Sequence, residues 1–267
     1  MSKLIKIVLF LVIVVFGIIS LFSGAGEYPR PTNEFYVNDF ANVLLPGTRA
    51  TIVSEGERLY ELTEDETEGG AQIVIATFAV ESIADIAKYN KTEIFRQWRI
   101  GKNDMGILVL LFFVEETTDD FTYLEFYECQ IEPGIRMEQY LTPGIEGRIM
   151  DETIMSATWE DDLDMGVANL LYELLSLVYV DAYGYSAFNY DMEEFEDYLV
   201  TYSGDFDEDM VPMNLLMYLL SPYSSFWNKF SAILVMVLIG GFGGGALIAN
   251  RGGGGTSGGM GVSRRRR

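Results

Sequence analysis

Residues 71–78, AQIVIATF, and residues 107–113, ILVLLFF, enclose the part of the chain that decides its fold. Each is an apolar run of strand length, and the first is rich in β-branched residues, as buried strands often are. Between them, Ser82 is a candidate N-cap for a helix to about Trp98, with its apolar positions on one face. The order strand, helix, strand predicts a parallel pair of strands joined by a right-handed crossover.

Further elements are predicted on both sides of this unit. A helix follows the turn at Pro46 and runs to about Leu62. Residues 121–131 mix polar and apolar side chains, which indicates an outer strand, antiparallel to its neighbour. Two helices, at about 145–157 and 161–180, close the domain. The predicted fold class is therefore α/β, with a small mixed β-sheet sandwiched between helices.

Long apolar runs lie near both ends of the chain. Residues 1–25 have the basic, apolar and small-residue parts of a secretory signal peptide, and the same run could remain uncleaved as an N-terminal membrane anchor. Residues 230–249 carry no charge and have the length of a transmembrane helix. The Gly/Arg-rich residues 250–267 follow, and basic residues beyond a span mark the cytoplasmic side.

This arrangement predicts one or two transmembrane helices in the cytoplasmic (plasma) membrane. The bilayer is then the first expected partner of the chain. The main domain is expected to be extracytoplasmic and the C-terminal tail cytoplasmic, whether or not the N-terminal run is cleaved.

The stretch between the two apolar runs is strongly acidic. Residues 27–209 hold all forty acidic residues and ten of the eighteen basic ones, a formal charge of −30. Such a field repels nucleic acid, so we expect no nucleic-acid partner, and it attracts cations. Residues 183–227 alternate acids with aromatic residues, and this juxtamembrane segment offers a surface for a protein partner in the membrane or at its outer face.

The chain has no histidine and one cysteine, Cys129. The absence of histidine excludes Ser-His-Asp and Cys-His catalysis and the usual zinc sites. One cysteine excludes a disulfide within the chain. The chemistry that remains is that of oxygen atoms, from carboxylates and backbone carbonyls, and hard cations such as Ca²⁺ and Mg²⁺ prefer these ligands.

Three short motifs place an acid among glycines or turn-forming residues. They are Asn38-Asp39-Phe40-Ala41, Gly101-Lys102-Asn103-Asp104-Met105-Gly106 and Gly134-Ile135-Arg136-Met137-Glu138. Each acid taken alone can be an ordinary turn or cap residue. In their order and approximate spacing, however, the three motifs together resemble the TPM-domain family over residues 32–182.

The resemblance implies a TPM-like α/β/α domain in which Asp39, Asp104 and Glu138 belong to a shared acidic site. Converging carboxylates repel unless a cation neutralises them or one stays protonated, so we expect these three residues to bind Ca²⁺ or Mg²⁺. Lys102 and Arg136 are candidate phosphate-binding residues beside that site.

Two positions depart from the family pattern. Met105 stands where the family usually has Asn or a similar residue, and Gly144 stands where an acid is normal. Each departure removes a potential oxygen ligand. Glu146 or Asp151 on the following helix could replace the missing acid, although acids at such positions more often lie on an exposed face.

Two functions remain open from the sequence. In the first, the protein is a divalent-cation-binding interaction module that supports the assembly or maintenance of a membrane complex. In the second, the domain is a metal-assisted acid-type phosphatase of low specificity, which hydrolyses phosphate monoesters, as proposed for plant members of the family. The acidic charge, which repels phosphate, and the departures at Met105 and Gly144 favour the module.

Overall fold

The computed structural model describes residues 28–118, 121–159 and 162–189, together with Phe195 and Met213. These residues belong to one compact unit, 26–223. A second unit consists of 1–25 and 224–267. The predicted signal peptide or anchor, the transmembrane helix at 230–249 and the tail at 250–267 lie outside the described residues, as does most of the segment at 183–227.

A four-stranded mixed sheet forms the centre of the described unit. Its strands are β1 (Val37–Asp39), β2 (Gln72–Val80), β3 (Gly106–Thr117) and β4 (Thr122–Pro133), and they lie side by side in that order. β1 pairs parallel to β2, β2 pairs parallel to β3, and β4 pairs antiparallel to β3. The predicted parallel pair and the antiparallel outer strand are confirmed. β1 was not predicted, because three residues are too few to show a strand pattern.

In the described part of the chain, five helices surround this sheet. They are α1 (Pro46–Thr63), α2 (Ile83–Ile86), α3 (Lys91–Trp98), α4 (Pro143–Glu152) and α5 (Leu163–Ser176), the last extended by a π-helical turn, Leu177–Ala182. Short 3-10 turns occur at Lys102–Asp104 and Ala157–Trp159.

The single helix predicted from Ser82 to Trp98 is wrong. The chain forms two helices there, and the second begins after Asn90, whose side chain accepts a hydrogen bond of 3.2 Å from the backbone N–H of Glu93. This is an N-cap bond, which satisfies a helix-start donor that would otherwise have no partner within the helix. The apolar spacing in this region was real, but a local side-chain bond divides it between two helices.

Helices pack on both faces of the sheet. Successive residues of a strand point to opposite faces. Thr77 of β2 donates a hydrogen bond to Asp39, which in turn lies beside Arg49 of α1. Phe78, the next residue, packs against Tyr89 in the connection between α2 and α3, with ring centroids 4.7 Å apart. The predicted α/β/α sandwich is therefore confirmed.

The helix Leu163–Ala182, which is α5 with its π-helical turn, is long and apolar enough to cross a membrane by length and composition. Most of it is buried within the domain, and Leu170 and Leu174 are fully covered. Asp164 in its first turn accepts a hydrogen bond of 2.9 Å from the backbone N–H of Leu45. These contacts are those of a core helix that packs against the rest of the domain.

Several described residues of the acidic, aromatic segment 183–227 contact the domain, Phe195 and Met213 among them. Phe195 is buried, and its ring centroid lies 6.0 Å from that of Tyr172 on α5. The backbone N–H of Met213 donates a hydrogen bond of 3.1 Å to the carbonyl of Pro31. At these two points the segment packs on the folded unit.

Candidate functional site

Asp39 lies at the carboxyl end of β1 and is almost fully buried, with 1% of its surface exposed. Its Oδ1 accepts hydrogen bonds from Thr77 Oγ1 at 2.6 Å and from the backbone N–H of Val43 at 3.1 Å. Its Oδ2 accepts from the backbone N–H of Leu44 at 3.0 Å and lies 4.0 Å from Arg49 Nη1. Both oxygens therefore fix the turn that follows β1.

Asp164 is a second buried carboxylate on the same face of the sheet, and the sequence did not single it out. It accepts hydrogen bonds from Thr48 Oγ1 and from the backbone N–H of Leu45. Burial raises the pKa of Asp164 above its usual value, although these two hydrogen bonds lower it. The two acids bind α1 and α5 to the turn after β1, so this cluster is structural.

Asp104 lies at the opposite end of the parallel strands from Asp39. Asp39 is at their carboxyl ends, and Asp104 is at their amino ends. Asp39 pairs with Thr77, which pairs with Leu111, and β3 begins at Gly106, five residues earlier. At about 3.3 Å per residue, the two edges are roughly 17 Å apart along the strands. A shared acidic site requires Asp39 and Asp104 to be close together, and the structure does not place them so. Asp39 ends the parallel strand β1, whereas Asp104 precedes the parallel strand β3.

Asp104 belongs to an exposed loop with unusual backbone geometry. It has a φ of +60°, and its neighbour Asn103 has a φ of +59°. Gly101, two residues earlier, has a φ of +77°, and a Cβ there would lie 2.4 Å from the backbone nitrogen of Gly106. Residues held with positive φ are uncommon outside glycine and are concentrated at functional sites.

Glu138 lies in the loop that begins at Gly134, at the same end of the sheet as Asp104. The backbone N–H of Glu138 donates a hydrogen bond of 3.0 Å to the carbonyl of Gly134. A Cβ at Gly134 would lie 2.3 Å from the carbonyl oxygen of Asp104, so the two backbones are in close contact there. Asp104 and Glu138 are both exposed. The structure therefore places these two acids on adjoining loops at one edge of the sheet.

Lys102 and Arg136 also lie at this edge, and both donate to the loop that follows α1. Lys102 Nζ bonds the carbonyl of Glu64 at 3.0 Å, and Arg136 Nη1 bonds the carbonyl of Glu68 at 2.7 Å. The backbone N–H of Lys102 donates to the carbonyl of Gly70 at 2.8 Å. Two cationic side chains thus hold three loops together beside the two exposed acids.

Tyr183 completes this edge, and no sequence motif pointed to it. It follows the π-helical turn after α5, and its hydroxyl donates to the carbonyl of Gly69. Burial raises the pKa of Tyr183 to about 12, so the hydroxyl stays protonated and acts as a donor at neutral pH. The Tyr183 side chain therefore stabilises the loop after α1, the same loop that Lys102 and Arg136 bind.

Within the described part of the chain, no group of three or more His, Cys, Asp or Glu side chains is close enough to hold a metal ion. The set of Asp39, Asp104 and Glu138 is therefore not assembled as one site. A cation at the Asp104 edge would have two carboxylates at most, with carbonyl oxygens and water as its other ligands.

Residues 37–176 match the family model of the TPM domain, which is more than half of the 267 residues. The chain belongs to the TPM-domain family. The matched range contains both sheet edges described above, and it ends where α5 passes into its π-helical turn. No protein with a curated description matches the chain.

Among solved structures, the TPM domain is similar to the N-terminal domain of a protein from P. gingivalis, determined by solution NMR. The two chains are 16% identical, and the match covers 59% of this chain and 89% of that one, with a TM-score of 0.42.

Proposed function

We propose that this TPM-domain protein is membrane-anchored and extracytoplasmic, that it binds Ca²⁺ or Mg²⁺ through Asp104 and Glu138, and that it is an interaction module supporting the assembly or maintenance of a membrane complex. The observation that carries the cation site is the close contact of the two loops at Gly134, which holds two exposed carboxylates on one edge. Asp39 takes no part, because its oxygens are already bound within the domain.

The loops at this edge are held in place by contacts within the domain. Lys102, Arg136 and Tyr183 each donate to a carbonyl of the loop after α1, and Asp104 itself has a positive φ. A preorganised site loses less conformational entropy on binding than a mobile one. The backbone strain is then a cost in stability that a function would explain.

The surrounding charge favours a cation. The loop after α1 contributes the exposed acids Glu64, Asp65 and Glu66, and the cationic groups nearby are bonded to backbone carbonyls. Two carboxylates with water suit a weak site, of the kind that binds Ca²⁺ at about 10⁻⁴ to 10⁻³ M in extracellular modules. This range fits an extracytoplasmic domain.

The test is thermal unfolding of the full-length protein in detergent, with Ca²⁺ or Mg²⁺ raised to millimolar concentration. A ligand that binds only the folded state raises the melting temperature, by an amount that follows its concentration relative to Kd. We expect stabilisation of the wild type, and much less for Asp104→Asn and Glu138→Gln. Asn adopts a positive φ more readily than most residues, so the first substitution preserves the loop.

Glu57→Gln is the matched control, since Glu57 is exposed on α1 and lies outside the two acid-bearing loops. It removes one negative charge and should leave the metal response unchanged. No stabilisation of the wild type at millimolar Ca²⁺ or Mg²⁺, or the same response in Asp104→Asn and wild type, would overturn the cation site.

The second candidate function is the metal-assisted phosphatase, and one observation favours it: Lys102 and Arg136 lie at the same edge as Asp104 and Glu138. Either base would have to exchange its carbonyl partner for a phosphate oxygen. The test is hydrolysis of 4-nitrophenyl phosphate with and without the cation. Metal-dependent activity that is lost in Asp104→Asn would establish the enzyme, and metal-dependent stabilisation without hydrolysis would favour the module.

A further inference from the structure

Among the described residues, the outer edge of β4 has no partner strand, and Lys91 of α3 donates a hydrogen bond to the carbonyl of Ile131 near its end. β4 is the last strand in the sheet order, and no described strand pairs with its outer side. It is twelve residues long and has no Lys or Arg, and its proline, Pro133, is the last residue. Long edge strands are ready templates for another strand, and proteins blunt them with lysines, prolines or β-bulges. Here Lys91 contacts the end near Ile131, so the part of β4 considered below is Thr122 to Glu128.

A β-bulge shapes this edge near its middle. Phe112 of β3 pairs with Glu128 while Phe113 pairs with Phe126, so Tyr127 is the extra residue of β4. Tyr127 is 45% exposed, and Tyr123, further along the strand, is 42% exposed. Bulges re-aim side chains, and tyrosine is enriched where proteins meet partners.

A cleft of about 370 Å³ adjoins the same part of β4. Phe126, Ile154 and Leu163 supply apolar lining, and Glu125 and Ala157 also line the cleft. Its volume lies within the range of sites that take small ligands or side chains. Because side chains alternate along a strand, a strand added to β4 would direct every second side chain to the face of the sheet that this cleft occupies.

The negative charge at the cleft end of the sheet favours a basic partner. The chain has no Lys or Arg from 103 to 135, while Glu115, Glu116, Glu125 and Glu128 lie on the two strands here. A second copy of β4 would place glutamates near glutamates, and like charges across a strand pair are destabilising. A basic peptide would meet complementary charge and would be steered to the domain by its acidic field.

We propose that the outer edge of β4 and the adjoining cleft form a peptide-binding groove. The ligand is an extended, basic segment of a partner protein that adds to the sheet as a strand and places one large apolar side chain in the cleft. In this binding mode, backbone hydrogen bonds supply affinity and the pocket supplies specificity. The proposal rests on the interaction role given above, but the groove is distinct from the cation site.

The two sites lie at opposite ends of the β3–β4 pair. Ile107 pairs with Pro133 beside Gly134, whereas Val114 pairs with Glu125 at the cleft. Seven residues of strand separate these pairs, or about 24 Å. The two proposals can therefore fail independently: a chain that binds no cation could still bind the peptide, and the reverse also holds.

The test is binding of a short synthetic peptide, with lysine alternating with threonine around a central leucine, to the full-length protein in detergent. Fluorescence anisotropy of the labelled peptide measures Kd. We expect Ala157→Trp, which fills the cleft, to weaken binding by at least about tenfold. Thr158→Trp is the matched control, because Thr158 is exposed on the same 3-10 turn but does not line the cleft.

Two altered peptides separate strand addition from simple charge attraction. A peptide with alternate backbone nitrogens methylated keeps its charge but loses hydrogen-bond donors, and it should bind at least about tenfold more weakly. A peptide with glutamate in place of lysine should not bind. The proposal is overturned if the wild type binds no peptide, if Ala157→Trp binds as the wild type does, or if methylation has no effect.

The oligomeric state is the remaining arm of this test. Sedimentation of the wild type and Ala157→Trp, in matched detergent, shows whether copies of the chain occupy the groove. The proposal expects the same mass for both. A dimer of the wild type that Ala157→Trp converts to a monomer would assign the groove to a second copy and would contradict the peptide proposal.

Discussion

At the residue scale, aspartates of this domain have two different roles, and burial separates them. Asp39 and Asp164 are buried and accept hydrogen bonds from the backbone of the turn after β1. Asp104 is exposed in a loop with positive φ. From the sequence, each of these is an Asp near turn-forming residues, and Asp39 could not be distinguished from Asp104.

Asp164→Asn is expected to change how stability depends on pH. Because burial raises the pKa of Asp164 in the folded state, the folded protein holds this proton at pH values where the unfolded chain has lost it. This group therefore costs stability progressively as the pH rises from about 4 through its raised pKa. Asn keeps an oxygen acceptor for Leu45 and Thr48 but has no charge to bury.

Urea unfolding of wild type and Asp164→Asn, from about pH 4 to about pH 7, checks this expectation. The free energy of unfolding of the variant, minus that of the wild type, should increase as the pH rises. Asp65→Asn, at an exposed position in the loop after α1, is the control. A difference that stays constant or decreases with pH would show that the carboxylate of Asp164 is not the source of the effect.

At the element scale, the loop from Arg99 to Gly106 is the least ordinary connection in the described part of the chain. Four of its residues, Arg99, Gly101, Asn103 and Asp104, have positive φ. The loop connects α3 to β3 and carries Asp104 and Lys102. Its conformation is therefore needed both for the start of a central strand and for the proposed cation site.

Gly101→Ala is expected to lower the free energy of unfolding by at least about 2 kcal/mol. The position has a φ of +77°, and the new Cβ would lie 2.4 Å from the backbone nitrogen of Gly106. Gly144→Ala is the control, because a Cβ there meets no heavy atom within 4 Å and the residue is helical in α4. It should leave stability unchanged or raise it, by up to about 1 kcal/mol, as judged by urea unfolding. Equal effects of the two substitutions would contradict the steric account.

The length of an element decided whether it could be predicted from the sequence. The long apolar runs of β2 and β3 and the mixed polar and apolar residues of β4 were visible in the sequence, and the structure confirms these strands. β1 has three residues, too few for a periodic signal. The break between α2 and α3 depends on one capping bond from Asn90, which apolar spacing does not report.

At the scale of the whole molecule, the missed strand explains the misplaced site. Once Val37–Asp39 is known to pair parallel to β2, Asp39 must lie at the carboxyl edge of the sheet. Asp104 precedes β3 and must lie at the amino edge. The family resemblance implied three acids in one place. The strand directions separate Asp39 from Asp104, and the backbone contact at Gly134 joins Asp104 to Glu138.

The proposed membrane topology can be tested with single introduced cysteines, because the natural cysteine, Cys129, should react little with labelling reagents. Cys129 is buried, and burial, with Glu146 and Glu128 nearby, raises its pKa to about 12. A thiol in this state has little thiolate and reacts slowly with maleimides. New cysteines at exposed positions will therefore dominate the labelling.

Thr158→Cys places a thiol on the exposed surface of the TPM domain, and Ser257→Cys places one in the Gly/Arg-rich tail. With a membrane-impermeant maleimide on intact cells, we expect labelling at 158 and none at 257 until the membrane is permeabilised. Basic residues beyond a span are retained on the cytoplasmic side, so the four terminal arginines should hold the tail inside. The reverse pattern would put the acidic domain in the cytoplasm, where a weak Ca²⁺ site would rarely be filled, and would remove the reason to expect Ca²⁺ as its ligand.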